Sequence, residues 1–340
     1  MKQIFKNLIF FVIVLNIVFL LIIQWPTGLL LSPEEALEPL TIHVNRGRLG
    51  NQMFTYATLY GLGRLNQRHV RLMPQNYNAL NSYFKLRHSQ VNEFTFKEKH
   101  PWPIGSWLQP HDSHIPNTTN IVKGQLYPTS FTFFHHVQDE IRDIFQFHDT
   151  IRDYAENVLR HVKLLRPWTE VYIGVHVRRG DYLSNSKGGW LRAFEGREVD
   201  IEYFRKAVDY FRLKYSNLTF IAVSDDREWC KKNLPQFHIL TLPFSPSPAH
   251  DLAVMAECNH TIITYGTFSF WSGYLAGGEV TYFSDFVNPK RRRNFPEEKM
   301  YPPKWIGIST TPKGFWDSYK NPFLVQDGKN VSGSKEISSL

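Results

Sequence analysis

Two adjacent arginines end an apolar strand in the run Tyr172-Ile173-Gly174-Val175-His176-Val177-Arg178-Arg179-Gly180-Asp181-Tyr182. The β-branched residues suit a buried strand, and the abrupt charge suits a loop at its C-terminal end, where open α/β sheets bind ligands. Paired guanidiniums offer a rigid set of donors that fits a phosphate bidentately, and Gly180 lets the backbone come close. The chemistry this suits is holding a pyrophosphate; the plain alternative is a surface arginine pair after an ordinary strand.

Two further loops share the theme. Ser224-Asp225-Asp226 offers carboxylates that can accept hydrogen bonds from sugar hydroxyls or a base, and Tyr265-Gly266-Thr267-Phe268-Ser269 offers small residues opening a helix. Free N–H groups and the macrodipole make such a helix start an anion site. Together the loops describe a nucleotide diphosphate pocket; taken singly, Thr267 and Ser269 also read as helix caps and Asp225-Asp226 as a solvated turn. Other cofactor patterns fail. Asn45 stands where a dinucleotide fingerprint needs its first glycine, no G-x-x-x-x-G-K-[ST] loop occurs, and neither H-E-x-x-H nor Asp-x-Asp is present. His135-His136 and His111 with His114 therefore read as structural or rim histidines, and the expectation is a site without metal or cofactor, in which arginines and backbone amides neutralise a leaving diphosphate.

The elements that must position these loops alternate strand and helix. Strands are expected at residues 171–177, 218–223, 238–242, 261–264 and 280–283, with helices at about 227–233, 249–257 and 268–276 between them. A further helix carries Ile201, Phe204, Val208, Phe211 and Tyr215 on one stripe. That rhythm implies a parallel sheet covered on both faces. Upstream, a strand at residues 41–44, a helix with Met53, Ala57 and Tyr60 on one face and a strand at 70–73 form a β-α-β unit. Residues 74–128 read as an irregular binding rim and 133–161 as helical, with Arg166-Pro167-Trp168 as the boundary between two halves.

Length and composition narrow the setting. The chain has 340 residues, 42% hydrophobic and 15% aromatic, which excludes disorder over most of its length, and 39 Lys+Arg against 31 Asp+Glu gives +8, favouring an anionic partner. Residues 8–25 read as a transmembrane signal anchor between a cytosolic tail at 1–7 and a stem at 26–40. Gln24-Trp25-Pro26 lacks the small-residue triplet of a cleavable signal. Lys2 and Lys6 before the span, and Glu34, Glu35 and Glu38 after it, put the rest of the chain in the lumen. There the sequons at Asn117, Asn217, Asn259 and Asn330 become usable, and Cys230 and Cys258 either pair or stay as buried thiols. Residues 321–340 read as a disordered tail. Lys290-Arg291-Arg292-Arg293 could serve heparin or nucleic acid, but the lumenal address leaves a solvated charge run or a contact to the acidic membrane face or donor.

The segments Gly47-Arg48-Leu49-Gly50-Asn51-Gln52-Met53, Gly174 to Tyr182, and Cys258-Asn259-His260-Thr261-Ile262 followed by Gly266-Thr267-Phe268 resemble the animal galactoside alpha-1,2-fucosyltransferases, from about residue 41 to 308. The resemblance implies an α/β, GT-B-like glycosyltransferase. Two Rossmann-like domains would face a cleft, an acceptor-side domain at 41–167 and a GDP-fucose-binding domain at 168–320, behind a single-pass type II Golgi anchor. It implies metal-independent, inverting transfer of L-fucose from GDP-fucose to the 2-hydroxyl of a terminal galactose on glycans. Carried over, Arg178, Arg179 and Gly180 hold the diphosphate, His176 and Asp181 shape the loop, and Asn51 touches donor or acceptor. Asp225 or Asp226 reaches guanine or ribose, and Gly266, Thr267 and Ser269 meet the phosphates. The loop at 184–197 has no clear counterpart, which leaves acceptor preference open. Asp181, His176 and Glu195 are the candidates for the base, Asp181 being better suited to holding an arginine. Protein O-fucosyl or other GDP-sugar transfer, and a non-catalytic membrane-tethered lectin, are the alternatives.

Overall fold

The computed structural model describes residues 38–43, 47–93, 95–124, 127–183, 189–289, 296–313 and 315–318. The anchor, most of the stem, the Lys290–Arg293 cluster, Asn330 and the tail lie outside them; among the described residues no helix is long and apolar enough to cross a membrane. The described residues from Leu40 onward form one compact unit.

The second half follows its sequence rhythm and adds a strand at Ile306–Ile308 that the sequence reading did not include. Strands β4 (Val171–Val177), β5 (Leu218–Ser224), β6 (Ile239–Thr241), β7 (His260–Ile263), β8 (Val280–Phe283) and β9 (Ile306–Ile308) form a sheet of order β6-β5-β4-β7-β8-β9, every ladder parallel. This is the doubly wound order, in which the chain runs outward from β4 on one side and then returns to start again at β7. Phe204, Val208 and Phe211 from the helix Ile201–Lys214 pack with Ile173, Val175 and Ile262 in one core, as their helical spacing requires.

The first half departs from its sequence reading. Its sheet has three short parallel strands, β1 (Thr41–Ile42), β3 (Ile121–Gly124) and β2 (Trp102–Ile104), in the order β1-β3-β2. Two of them come from the stretch read as irregular, because strands of three or four residues show no period to detect. The strand expected at 70–73 reduces to single bridges, Val70 to Leu40 and Leu72 to Gln90. Consecutive contacts go to different partners, and Pro74 then opens the helix Pro74–Asn81. The helical stretch expected at 133–161 is interrupted: helices Gln138–Ile144 and Asp149–Leu165 are separated where Phe147 pairs with Phe84 and the His148 amide donates to the Tyr83 carbonyl at 3.0 Å.

The two halves share a core. Trp271, Phe270 and Tyr274, from the helix Thr267–Ala276 of the second half, pack among Met53, Phe54, Phe134 and Phe145 of the first. The buried Trp271 indole donates to the Gly50 carbonyl at 3.0 Å. Cys230 and Cys258 do not pair; both are free and buried, and burial pushes their thiols up to about 11 and about 12 respectively.

Gly61 lies inside the helix Leu49–Leu65, where a Cβ would stand 2.1 Å from the Phe133 carbonyl oxygen. Alanine is normally worth about 1 kcal/mol over glycine in a helix. Here the neighbour is backbone and cannot give way, so an overpacking cost of about 1–3 kcal/mol dominates. Gly61→Ala is expected to lower Tm by several degrees in a thermal melt; an unchanged or raised Tm would contradict this packing.

Candidate functional site

In the doubly wound sheet the crevice opens where β4 and β7 part company, at their C-terminal ends. The sequence puts Arg178-Arg179-Gly180-Asp181 at one of these ends and Gly266-Thr267 at the other. Local bonds fix the first loop. The Arg178 amide donates to Thr264 Oγ1 at 3.0 Å, tying the end of β4 to that of β7, and the Arg179 amide donates to Asp225 Oδ1 at 2.9 Å, tying it to β5. A Cβ on Gly180 would sit 2.5 Å from Asp225 Oδ2, so glycine is what lets this carboxylate reach across.

Both guanidiniums are held before any ligand arrives. Arg178 reaches Asp225 Oδ2 at 2.9 Å and Asp181 Oδ1 at 2.5 Å. Arg179 donates from Nε to Asp226 Oδ2 at 3.1 Å and from Nη1 to Glu198, with its guanidinium 4.4 Å above the Trp229 ring. The other oxygen of Asp181 pairs with Arg48. The arginine side chains are 14% and 13% exposed, whereas Glu198 is 43% exposed. Three guanidiniums therefore meet four carboxylates, a formal excess of one negative charge. An anion entering here must replace carboxylates rather than fill an empty positive pocket, and Glu198 is the one best placed to turn into water.

Asp225 and Asp226, expected to reach a base or ribose, each hold an arginine here. Asp226 also caps the helix Arg227–Asn233 by accepting from the Trp229 amide at 3.0 Å. Ser269, expected at the phosphates, has its hydroxyl engaged within the protein. It is buried, its hydroxyl donates to the Tyr265 carbonyl at 2.8 Å, and it lies 2.6 Å from His176 Nδ1. A hydroxyl has one proton, so Ser269 accepts from His176, which fixes the proton on Nδ1. Burial first, then the nearby Arg178 and Arg227 charges, hold the His176 imidazole neutral well below its ordinary range. With its ring 4.7 Å from that of Phe268, His176 braces the base of the loop.

Two helix N-termini meet beside the arginines. Neither the helix Leu49–Leu65 nor the helix Thr267–Ala276 has a side-chain cap, and a Cβ on Gly50 would stand 2.7 Å from Thr267 Oγ1 and 2.9 Å from the Phe268 amide. Gly266 has φ +93° and a Cβ there would lie 2.9 Å from the Tyr182 hydroxyl, so only glycine suits the turn. Asn51 occupies the first turn of the helix Leu49–Leu65 and is half-buried, its amide donating to the Arg48 carbonyl at 2.9 Å. The structure thus brings together Arg178, Arg179, Gly180, Asp181, Asp225, Asp226 and, close by, Gly50, Gly266 and Thr267. Sequence reasoning did not assign Arg48, Glu198, Thr264 or Trp229. Arg48 sat inside a quoted motif and was legible as a third cation; the others had no local signal. Among the described residues no group of three or more His, Cys, Asp or Glu side chains could hold a metal ion.

Residues 20–309 match the family described as Glycosyl transferase family 11. The chain belongs to that family. It is 36% identical over 274 residues to the galactoside 2-alpha-L-fucosyltransferase SEC1 of Bos taurus, covering 78% of this chain and 72% of that one. It is also 36% identical over 271 residues to the galactoside alpha-(1,2)-fucosyltransferase 2 of Bos taurus, covering 77% of each. Among solved structures, the Bradyrhizobium fucosyltransferase NodZ aligns at 13% identity and TM-score 0.47, over 69% of this chain and 91% of that one.

In this family 11 chain, the neutral His176 gives a pH signature. An unfolded histidine takes up a proton below about pH 6.5, while the folded one refuses it, so stability falls as pH drops from 6.5. His176→Asn keeps a donor toward Ser269 and removes this titration. The variant is expected to lose stability less steeply between pH 6.5 and 5, by up to about 1.4 kcal/mol per pH unit. His88, His135, His136 and His260 are also lowered by burial, but they titrate in both proteins and cancel in the difference. Denaturant unfolding at the two pH values measures it; parallel slopes would contradict a neutral buried His176.

Proposed function

We propose that this chain transfers L-fucose from GDP-fucose to the 2-hydroxyl of a terminal galactose, with inversion and without a metal. Supporting this reading is the observation that carries it: paired arginines at the crevice of a doubly wound sheet, beside two uncapped helix N-termini, in a family 11 chain whose relatives are named galactoside alpha-1,2-fucosyltransferases. The six-stranded sheet serves as the donor half of a GT-B-like arrangement.

The reaction breaks the anomeric C–O bond of a sugar diphosphate through an oxocarbenium-like state, so negative charge grows on the leaving diphosphate. Arg178 and Arg179 supply charge-assisted hydrogen bonds there, and the free N–H groups of the helices Leu49–Leu65 and Thr267–Ala276 add partial positive charge. The diphosphate takes the place of Glu198 on Arg179, while Asp225 stays as the fixed support of both residues. Of the three base candidates, His176 is buried behind the loop and Asp181 is held between Arg48 and Arg178, so both position rather than touch the acceptor. The anchor at 8–25 and the sequons support a single-pass type II Golgi membrane protein with this site in the lumen, attached to its bilayer and meeting galactose-terminated glycans there.

A charge-assisted bond contributes about 1.5–3 kcal/mol, and about 1.4 kcal/mol is tenfold in rate. Arg178→Lys and Arg179→Lys, which keep the charge but lose the fork, are each expected to lower kcat/KM for GDP-fucose at least about tenfold on a free galactoside. The chelator EDTA is expected to leave the wild-type rate unchanged. Wild-type turnover in both variants, loss of activity with EDTA, or transfer to folded protein acceptors but not to galactosides would each overturn part of this reading.

Glu198→Gln removes the carboxylate that competes for Arg179. It is expected to tighten GDP binding several-fold by calorimetry and to lower the KM for the donor. Weaker GDP binding in this variant would instead make Glu198 a support that the arginine needs.

A further inference from the structure

A second polar concavity lies at the opposite, N-terminal edge of the six-stranded sheet. It is a cavity of about 240 Å³ lined by Arg166, Arg212, Tyr215, Asn217, Phe220 and His238, among others. Three observations set it apart. Arg166 donates to the His238 carbonyl at 3.1 Å and Arg212 to the Phe237 carbonyl at 2.8 Å, and among the described residues neither has a carboxylate partner. Tyr215 is fixed, its hydroxyl 2.6 Å from Glu279 Oε1 and its ring stacked on His260 at 4.6 Å. Leu164, Leu165, Trp168 and Leu213, four of the six most exposed large apolar side chains among the described residues, lie within three residues of Arg166 or Arg212 in sequence, each at least 58% exposed.

Asn217 sits on the rim, and it begins the sequon Asn217-Leu218-Thr219. Its backbone is left-handed, φ +54°, and its carbonyl accepts from the Glu170 amide at 2.9 Å, so the position is held while the residue stays exposed. The other described sequons differ. Asn259 has its Oδ1 occupied by the Tyr172 amide at 2.8 Å, and Asn117 is exposed on a turn that the cavity does not include.

We propose that Asn217 carries an N-linked glycan whose first sugars seat in this cavity, close in the chain to these exposed apolar side chains. The attachment is an N-glycosidic bond between Asn217 Nδ2 and the sugar's anomeric carbon, formed in the lumen as that carbon's bond to a glycan carrier's diphosphate breaks; the diphosphate leaves and Nδ2 gives up one proton to the medium. The N–H groups that Arg166 and Arg212 do not direct at the His238 and Phe237 carbonyls donate to sugar hydroxyls and the N-acetyl carbonyl, and Tyr215 offers a rigid amphipathic wall. Exposed apolar side chains are an aggregation hazard, and a bulky, hydrated glycan tethered at Asn217 shields its surroundings. This inference rests on the lumenal address proposed above but is independent of the reaction.

The full chain made in a secretory host tests it. Peptide mass spectrometry is expected to find Asn217 modified. Endoglycosidase trimming of the native protein is expected to act at Asn217 at least ~10-fold more slowly than at Asn117, the protection given by about 1.4 kcal/mol of seating. Asn217→Gln is expected to lower Tm and raise binding of an apolar dye, while Asn117→Gln does neither. The variant is the right comparison, because amidase release would leave an aspartate beside two arginines. Arg166→Ala is expected to speed trimming at Asn217 with occupancy unchanged, a readout that a merely structural arginine would not move. A chain bare at Asn217 but modified elsewhere, or trimmed there as fast as at Asn117, overturns this proposal alone. A chain bare at every sequon overturns the lumenal address and this proposal with it.

Discussion

One carboxylate sets the geometry on which the candidate site depends. Asp225, at the end of β5, receives the Arg178 guanidinium on one oxygen and the Arg179 amide on the other. It therefore fixes both the direction of one side chain and the backbone from which the next departs. It can do so only because residue 180 has no side chain, since a Cβ there would overlap its Oδ2. Two long, rotamer-rich cations would otherwise lose considerable entropy on ordering around a ligand; here that ordering is completed during folding.

The same arrangement answers how a site with an excess of carboxylates can serve an anion. Bare guanidiniums largely removed from water would be costly to keep, and carboxylates offset that cost. On the proposed function, binding is then an exchange of anions. The exchange favours whichever anion matches more donors at once, and a diphosphate flanked by two uncapped helix N-termini meets donors that a lone glutamate cannot reach. Selectivity arises because a single carboxylate ligand would gain little over the one it displaced.

Much of the second half was legible because its elements are long enough to show a period. The seven-residue β4 and β5 and the stripe on the helix Ile201–Lys214 each announce their type, and their alternation implies the parallel sheet and its ligand-bearing edge. In the first half β1 and the helix after it were legible, but β2 and β3 were not, because they span three and four residues and owe their existence to pairing and to the core rather than to local pattern. At the site, residue types were legible and their partners were not. Ser269 read as a helix-opening hydroxyl facing an anion, yet its side chain points into the core toward His176. Glu198 and Arg48 lie 19 and 133 residues from the groups they pair with, and a sequence holds no local trace of such pairings.

The shared core shows why the site has parts from both halves. Trp271 comes from the helix whose N-terminus lines the crevice, and its ring packs against Phe54, Phe134 and Phe145 while its indole holds the Gly50 carbonyl. Removing or rotating that ring would shift both helix starts together, because the close approach at Gly50 leaves no slack between them. Close packing transmits such a shift instead of absorbing it. The spacing between the two sources of free N–H groups is thus set by aromatic packing behind them, and Arg48, paired to Asp181 at the start of one of those helices, ties that spacing to the arginine loop. A substitution deep in this aromatic cluster would therefore disturb the candidate site without touching any residue that faces it.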